Sequence, residues 1–312
     1  MWLINTTTLQ LHENPPSAVY AILSHTWEAE ELSFRDMEDL KKASKKRGFL
    51  KIAKICEIAK ASGIQWAWVD TCCIDKSSSA ELTESINSMW RWYKEARICY
   101  AFLSDLSMSG WTNDPPLQSR ATGEGLERCR WFTRGWTLQE LLAPDSIVFF
   151  DKNWTHCGTK LSLRSELSTL TGINIDVLQN SSLIHQVPIA CRMSWAASRQ
   201  TTREEDRAYS LFGIFDVNLP LIYGEGSKAF TRLQEAILRN STDLSILAWD
   251  SRDNDQLHTG LLARSPSDFA DCSGVRPCPN RIYEMLSDIQ MTNKGISLTV
   301  GCVELVESNT GI

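Results

Sequence analysis

Most of the signatures that would fix a chemistry at once are missing from this chain. Only five histidines occur, none at ligand spacing, and there is no Cys-x-x-Cys unit, which removes the common zinc and dithiol sites. The ten cysteines are spread over the whole length rather than gathered into a disulfide framework. They are expected to act mostly as small apolar side chains in a reducing compartment, the cytoplasm. No apolar leader stands at Met1-Trp2-Leu3, and no uninterrupted apolar run is long enough to cross a bilayer. Long basic tracts are lacking as well. Net charge is −6, and the short cluster from Lys41 to Arg47 reads as a solvated helix face, so nucleic acid is not an expected partner. Gly123-Glu-Gly125 and Gly224-Glu-Gly226 lack the third glycine and the strand-to-helix setting of a phosphate loop.

What is present is apolar content of 43% in 312 residues, enough for a sizeable core. The apolar run Ala18 to Leu23 reads as a buried strand stopping at Ser24-His25-Thr26-Trp27. A helix over Lys51 to Ala61 follows from Ile52, Ile55 and Ala59, with Gly63 placed to end it. Trp66 to Val69 is a second strand, closing on Asp70-Thr71-Cys72-Cys73. Leu82, Ile86, Met89, Tyr93 and Ala96 predict a helix to Arg97. Ile98 to Leu103 then forms a third strand before Ser104-Asp105. After a loop from Ser107 to Gly125 comes a helix with Trp136 and Glu140, stopped by Pro144, and a fourth strand at Ile147 to Phe150. Strands alternating with helices predict an α/β fold with an open parallel sheet.

Beyond Asp151 the texture changes. Leu161 to Arg239 is mainly helical in pattern. Thr202-Arg203-Glu204-Glu205 has capping-box form, with Thr202 as N-cap and Glu205 reaching back. Ser227 could cap a helix that turns Phe230, Leu233 and Ile237 inward. Later runs such as Ile296 to Val300 are strand-like. The expected organisation is an α/β core over residues 1–155, a helical extension over 156–247 and a small β-rich part over 248–312.

The most informative stretch is Arg134-Gly-Trp-Thr-Leu-Gln-Glu140. Residues four apart share a helix face, so Trp136 and Glu140 point the same way. A flat aromatic beside a carboxylate suits a planar ring and a sugar; it also suits a core tryptophan with a solvated glutamate. In an open parallel sheet, ligands bind beyond the carboxyl ends of the strands. Those ends carry Ser24, His25, Thr26 and Trp27, then Asp70, then Ser104 and Asp105, although such residues end strands and cap helices everywhere. Cys72 and Cys73, with His25 as base, offer a nucleophile reading, against the commoner one of buried structural thiols.

Tyr20-Ala-Ile-Leu-Ser-His-Thr-Trp27, Trp68-Val-Asp-Thr-Cys-Cys-Ile-Asp-Lys76 and Arg134-Gly-Trp-Thr-Leu-Gln-Glu-Leu-Leu-Ala-Pro144 resemble the three signature blocks of the fungal heterokaryon-incompatibility (HET) domain. Ile86 to Tyr93 resembles its linking helix, and Thr201 to Phe215 with Leu219 to Gly226 resembles the segment that follows. The resemblance runs over roughly residues 1–245, and Gly260 to Phe269 is similar to a companion module.

The resemblance implies a cell-death effector in fungal non-self recognition, with a flavodoxin-like sheet distantly related to Toll/interleukin-1 receptor (TIR) domains. In TIR domains that cleave NAD, the catalytic glutamate follows a tryptophan by four positions, as Glu140 follows Trp136. By that likeness Glu140 is the expected catalytic residue. Ser24, His25, Thr26, Trp27, Asp70, Arg134 and Trp136 are the expected nucleotide-binding residues. NAD is then substrate rather than cofactor, no metal is expected, and the active form is expected to be a homo-oligomer answering a receptor or regulatory partner. The alternative is a non-catalytic signalling and oligomerisation module.

Overall fold

A computed structural model describes residues 1–107, 125–251, 260–276, 286–292 and 295–300. Among them runs a seven-stranded sheet built from β1 (Trp2–Asn5), β2 (Leu11–Glu13), β3 (Tyr20–His25), β4 (Trp66–Trp68), β5 (Ile98–Phe102), β6 (Ile147–Phe150) and β7 (His156–Thr159), in the order β2-β1-β4-β3-β5-β6-β7. The inner four, β4-β3-β5-β6, are all parallel. Antiparallel strands flank them on both sides, β1 and β2 beside β4, and β7 beside β6. The chain leaves β3 for β4 on one side, then crosses back to β5 on the other. That reversal opens a crevice beyond the carboxyl ends of β3, β4 and β5, the usual ligand position in such sheets. The expected open α/β architecture is the one formed.

β3 extends two residues beyond the apolar run that announces it. Ser24 and His25 pair in register with Ala101 and Phe102 and are buried, so they belong to the strand and not to the loop after it. Polar side chains tolerate this only when partnered, and both are. The alternation of a strand then sends them to opposite faces. The outer strands were not legible as strands. β1 is four residues long, β2 is three residues and largely exposed, and β7 is His-Cys-Gly-Thr with Gly158 at φ 146°. The register between β6 and β7 shifts at Phe149/Phe150. The sheet therefore runs to Thr159, four residues past the expected boundary at 155. Most of the expected Ser107–Gly125 loop lies outside the described residues.

Two long helices cover the sheet: α1 (Phe49–Ala61), burying Ile52, Ile55 and Ala59, and α2 (Ser79–Glu95), burying Ile86, Met89 and Tyr93. α2 begins three residues before its apolar periodicity because the Ser78 hydroxyl accepts from the Glu81 amide, a side-chain N-cap. The Glu140 segment forms α3 (Thr137–Leu142). Behind these lie shorter helices, α4 (Ile189–Ser194), α5 (Asp206–Tyr209) and α6 (Phe212–Phe215), followed by α7 (Lys228–Asn240). α6 approaches α2 so closely that a Cβ on Gly213 would lie 2.2 Å from the Trp90 Cβ. Asn87 on α2 clamps the same region, donating to the Leu219 carbonyl and accepting from its amide, both at 3.1 Å.

The expected Thr202–Glu205 capping box does not form. α5 starts after Glu205, whose carboxylate instead accepts from the amides of Gly224 (2.7 Å) and Gly226 (3.1 Å). Two amides of one glycine turn donate to it together, where a helix start would have offered one. Ser227 stands at the start of α7 but makes no side-chain cap bond, while Phe230, Leu233 and Ile237 are buried as their spacing predicts. A 3₁₀ segment, Pro266–Gly274, packs against α4, and β8 (Leu286–Thr292) pairs antiparallel with β9 (Gly295–Val300).

Candidate active site

Glu140 sits in the first turn of α3, 7% exposed. The Trp131 indole donates to the Ser24 hydroxyl at 2.7 Å, and that hydroxyl donates onward to the Glu140 carboxylate. Tyr93, reaching in from α2, donates its hydroxyl to the Leu23 carbonyl at 3.1 Å, beside Glu140. The far end of α3 is held by Lys160, whose buried ammonium donates to the carbonyls of Leu142 (3.1 Å) and Pro144 (2.9 Å). These are the orphan carbonyls of a helix C-terminus, met by a cation. Burial lowers Lys160 to about 8. Replacing it with methionine is expected to cost about 2–3 kcal/mol in urea unfolding, because two buried carbonyls lose a charged donor.

Burial raises the Glu140 carboxyl from 4.5 to about 8, and the nearby charge of Asp70 adds to the rise. The bond from Ser24, the nearby Tyr93 hydroxyl and the charge of Arg134 oppose it without cancelling it. Asp70, just beyond β4, moves the other way. Burial pushes it up, but bonds from His25 and Trp27 and the charges of His25 and Lys76 outweigh that and hold it below the usual carboxylate range. Its two oxygens meet His25 Nε2 at 3.1 Å and Trp27 Nε1 at 2.7 Å. On the other side of the ring, Lys51 Nζ lies 3.0 Å from His25 Nδ1 and is itself paired with Glu31. Two carboxyl groups facing one space, one neutral and one ionised near neutrality, is the pattern of a divided acid–base pair.

That space is a cavity of about 340 Å³. Of the sequence-predicted residues, the structure brings His25, Trp27, Asp70, Arg134, Trp136 and Glu140 to its wall. Ser24 lies behind the Glu140 carboxylate as its donor, not on the wall. Thr26 does not join the cavity: it is buried and its nearest polar partner is the Ser104 hydroxyl at 3.5 Å. The remaining wall is part apolar, from Ile74, Leu82, Ile86 and Met89, and part polar, from Lys76, Arg203, Asp206 and Tyr223. Trp27 is 48% exposed at one side, with the Lys76 ammonium 3.7 Å from its ring centroid. Arg203 stacks 4.3 Å from the Tyr223 ring, and Arg134 reaches the Thr202 hydroxyl at 3.3 Å. Tyr93 and Lys160 escape sequence reading because their contacts with the Glu140 helix are long-range. Arg203, Asp206 and Tyr223 come from the helical extension, which therefore completes the cavity.

The thiol alternative fails on geometry. Both ring nitrogens of His25 are engaged, by Asp70 and Lys51, and Cys72 and Cys73 are fully packed. The neighbouring Cys73 sulfur and burial push the Cys72 thiol well above its usual range. Neither cysteine is expected to take up iodoacetamide in the native protein at pH 7.5 over an hour, as intact-mass measurement would show. Among the described residues there is no cluster of three or more His, Cys, Asp or Glu side chains fit to hold a metal, and no helix long and apolar enough to cross a membrane.

Residues 20–122 match the family model described as heterokaryon incompatibility protein (HET). The chain is also 48% identical over 226 residues to vegetative incompatibility protein HET-E-1 of Podospora anserina, an alignment covering 70% of this chain and 16% of that protein. It thus spans about a sixth of the length of that curated relative. No solved structure matches it.

Proposed function

This chain is a heterokaryon-incompatibility (HET) domain protein, and from that premise we propose that it is a cell-death effector of fungal incompatibility that cleaves the nicotinamide–ribose bond of NAD. One observation carries the reading: a buried carboxyl, Glu140, and two indoles, Trp27 and Trp136, line one cavity at the switch point of a parallel sheet. The four-residue Trp136–Glu140 spacing and the sheet order support a TIR-like relationship.

The nicotinamide of NAD is already cationic, so it leaves with the electron pair of the C1′–N bond as a neutral molecule and needs no strong acid. Positive charge then develops on the ribose. Water adds at C1′ and loses a proton, giving ADP-ribose. Glu140 supplies negative charge where that cation forms, held in place by Ser24. The indoles offer faces to the nicotinamide or adenine, and Arg134 and Arg203 present planar forks to the diphosphate. Ionising Glu140 costs free energy in the empty cavity and less beside a cation, so the interaction is strongest at the transition state. For the free enzyme, kcat/KM for NAD is expected to rise with pH, tenfold per unit at first, and to level off above about 8, where Glu140 is ionised before substrate arrives.

Self-association is proposed as the activating step, because an effector that kills must be silent until triggered. The test is nicotinamide release from NAD by purified protein, dilute and concentrated, with Glu140→Gln as control. Release that depends on Glu140 upholds the reading. A folded Glu140→Gln protein with undiminished turnover would defeat it, and no release at any concentration would favour a non-catalytic signalling module.

A further inference from the structure

A second cavity, of about 370 Å³, lies on the other side of the Arg134-Gly135-Trp136 turn. Its polar lining comes from Arg199, Arg207, Thr201, Ser210, Ser265 and Ser267, and no carboxylate is part of it. Several of these donors are unused. The Arg207 guanidinium makes no hydrogen bond or ion pair with any described residue. Arg199 donates through Nε to the Trp195 carbonyl (3.2 Å) and through Nη1 to the Arg134 carbonyl (2.9 Å) and the Thr137 hydroxyl (3.0 Å). Its Nη2 has no partner among the described residues. The Ser210 side chain is 1% exposed and its hydroxyl is likewise unpartnered among them.

A hydroxyl and guanidinium nitrogens that border a cavity without protein acceptors are free to donate to a ligand there. Two arginines lining one cavity without a carboxylate make a place where an anion is stabilised and a cation is not. We propose that this cavity is a binding site for a phosphomonoester, its phosphate held by Arg199 Nη2, Arg207 and the Ser210 hydroxyl. The planar fork of arginine matches phosphate oxygens. A space in the size range of small-ligand pockets leaves room for a sugar-sized body beside the phosphate, next to Ser265 and Ser267. The same residues tie the site to the fold. Gly135 donates to the Gln200 carbonyl at 2.8 Å, and a Cβ there would meet the Thr201 Cγ2 at 2.5 Å, so the turn that carries Trp136 rests directly on this cavity's wall.

The test uses the full chain with inorganic phosphate and ribose 5-phosphate as probes, titrated at constant ionic strength against chloride. Thermal shift and the backbone amide resonances of Thr201 and Ser210 are the readouts. Both probes are expected to raise the melting temperature and move those resonances, ribose 5-phosphate at the lower concentration. Arg207→Ala should weaken both by about tenfold or more while leaving the probe-free melting temperature unchanged, since that side chain has no protein partner to lose. Arg207→Lys should restore part of the binding. Arg203→Ala, in the other cavity, should bind both probes as the wild type does. No shift with either probe, or a loss that follows Arg203 rather than Arg207, would overturn the assignment.

Discussion

Glu140→Gln is expected to stabilise the protein at neutral and alkaline pH while lowering nicotinamide release by at least about a hundredfold. The stability gain follows from the raised carboxyl. Below pH 4.5 the group is protonated in both folded and unfolded chains, and burying it carries no ionisation penalty. Between 4.5 and about 8 the unfolded chain has released the proton while the folded chain keeps it, so stability falls as pH rises. The slope is about 1.4 kcal/mol per pH unit. Above about 8 the folded form ionises as well and the whole cost persists, on the order of a few kcal/mol. Glutamine escapes it at every pH and still accepts from Ser24. Melting curves from pH 5 to 9 should therefore show a difference near zero at the acid end that grows to several degrees at the alkaline end. A difference that stayed flat across that range would mean that the carboxyl is not under strain from its surroundings.

Gly213→Ala is expected to be the most damaging single methyl in the described fold. The added Cβ would stand 2.2 Å from the Trp90 Cβ and 2.6 Å from its Cγ. These atoms adjoin the α2 backbone, so they yield only if the helix moves. Overpacking of this kind costs about 3 kcal/mol or more. The damage should reach the site too, because Ile86 and Met89 of the same helix line the cavity. Gly260→Ala, with nothing within 4 Å of the added carbon, is the matched control and should unfold in urea as the wild type does.

The inner strands and the two long helices were readable because each buries a continuous apolar run or a periodic face. The edges of the sheet were not. Trp2–Asn5, Leu11–Glu13 and His156–Thr159 are short and mixed, and they are strands only because a neighbour offers them hydrogen bonds. The pairing of Trp136 with Glu140 was visible in spacing, and the strand-end rule placed Asp70 beside them. Spacing could not show that Glu140 would be buried, since that depends on Ser24, Tyr93 and Trp131 arriving from three other elements. Thr26 is the converse case: flanked in sequence by His25 and Trp27 of this network, it falls outside the cavity lining. The identity of a substrate was not legible in residue pattern at all; that expectation came from resemblance.

The outermost strands carry one more consequence. Copies of a protein that stack rim to rim need a long, flat row of free amides and carbonyls on each side. Here one border is three residues long, and the other is bent by a register shift and a glycine at φ 146°. Neither is a template for β-ribbon growth. The seven-stranded sheet is therefore closed to growth at both rims, and an encounter between copies would leave its hydrogen-bond ladder as it stands.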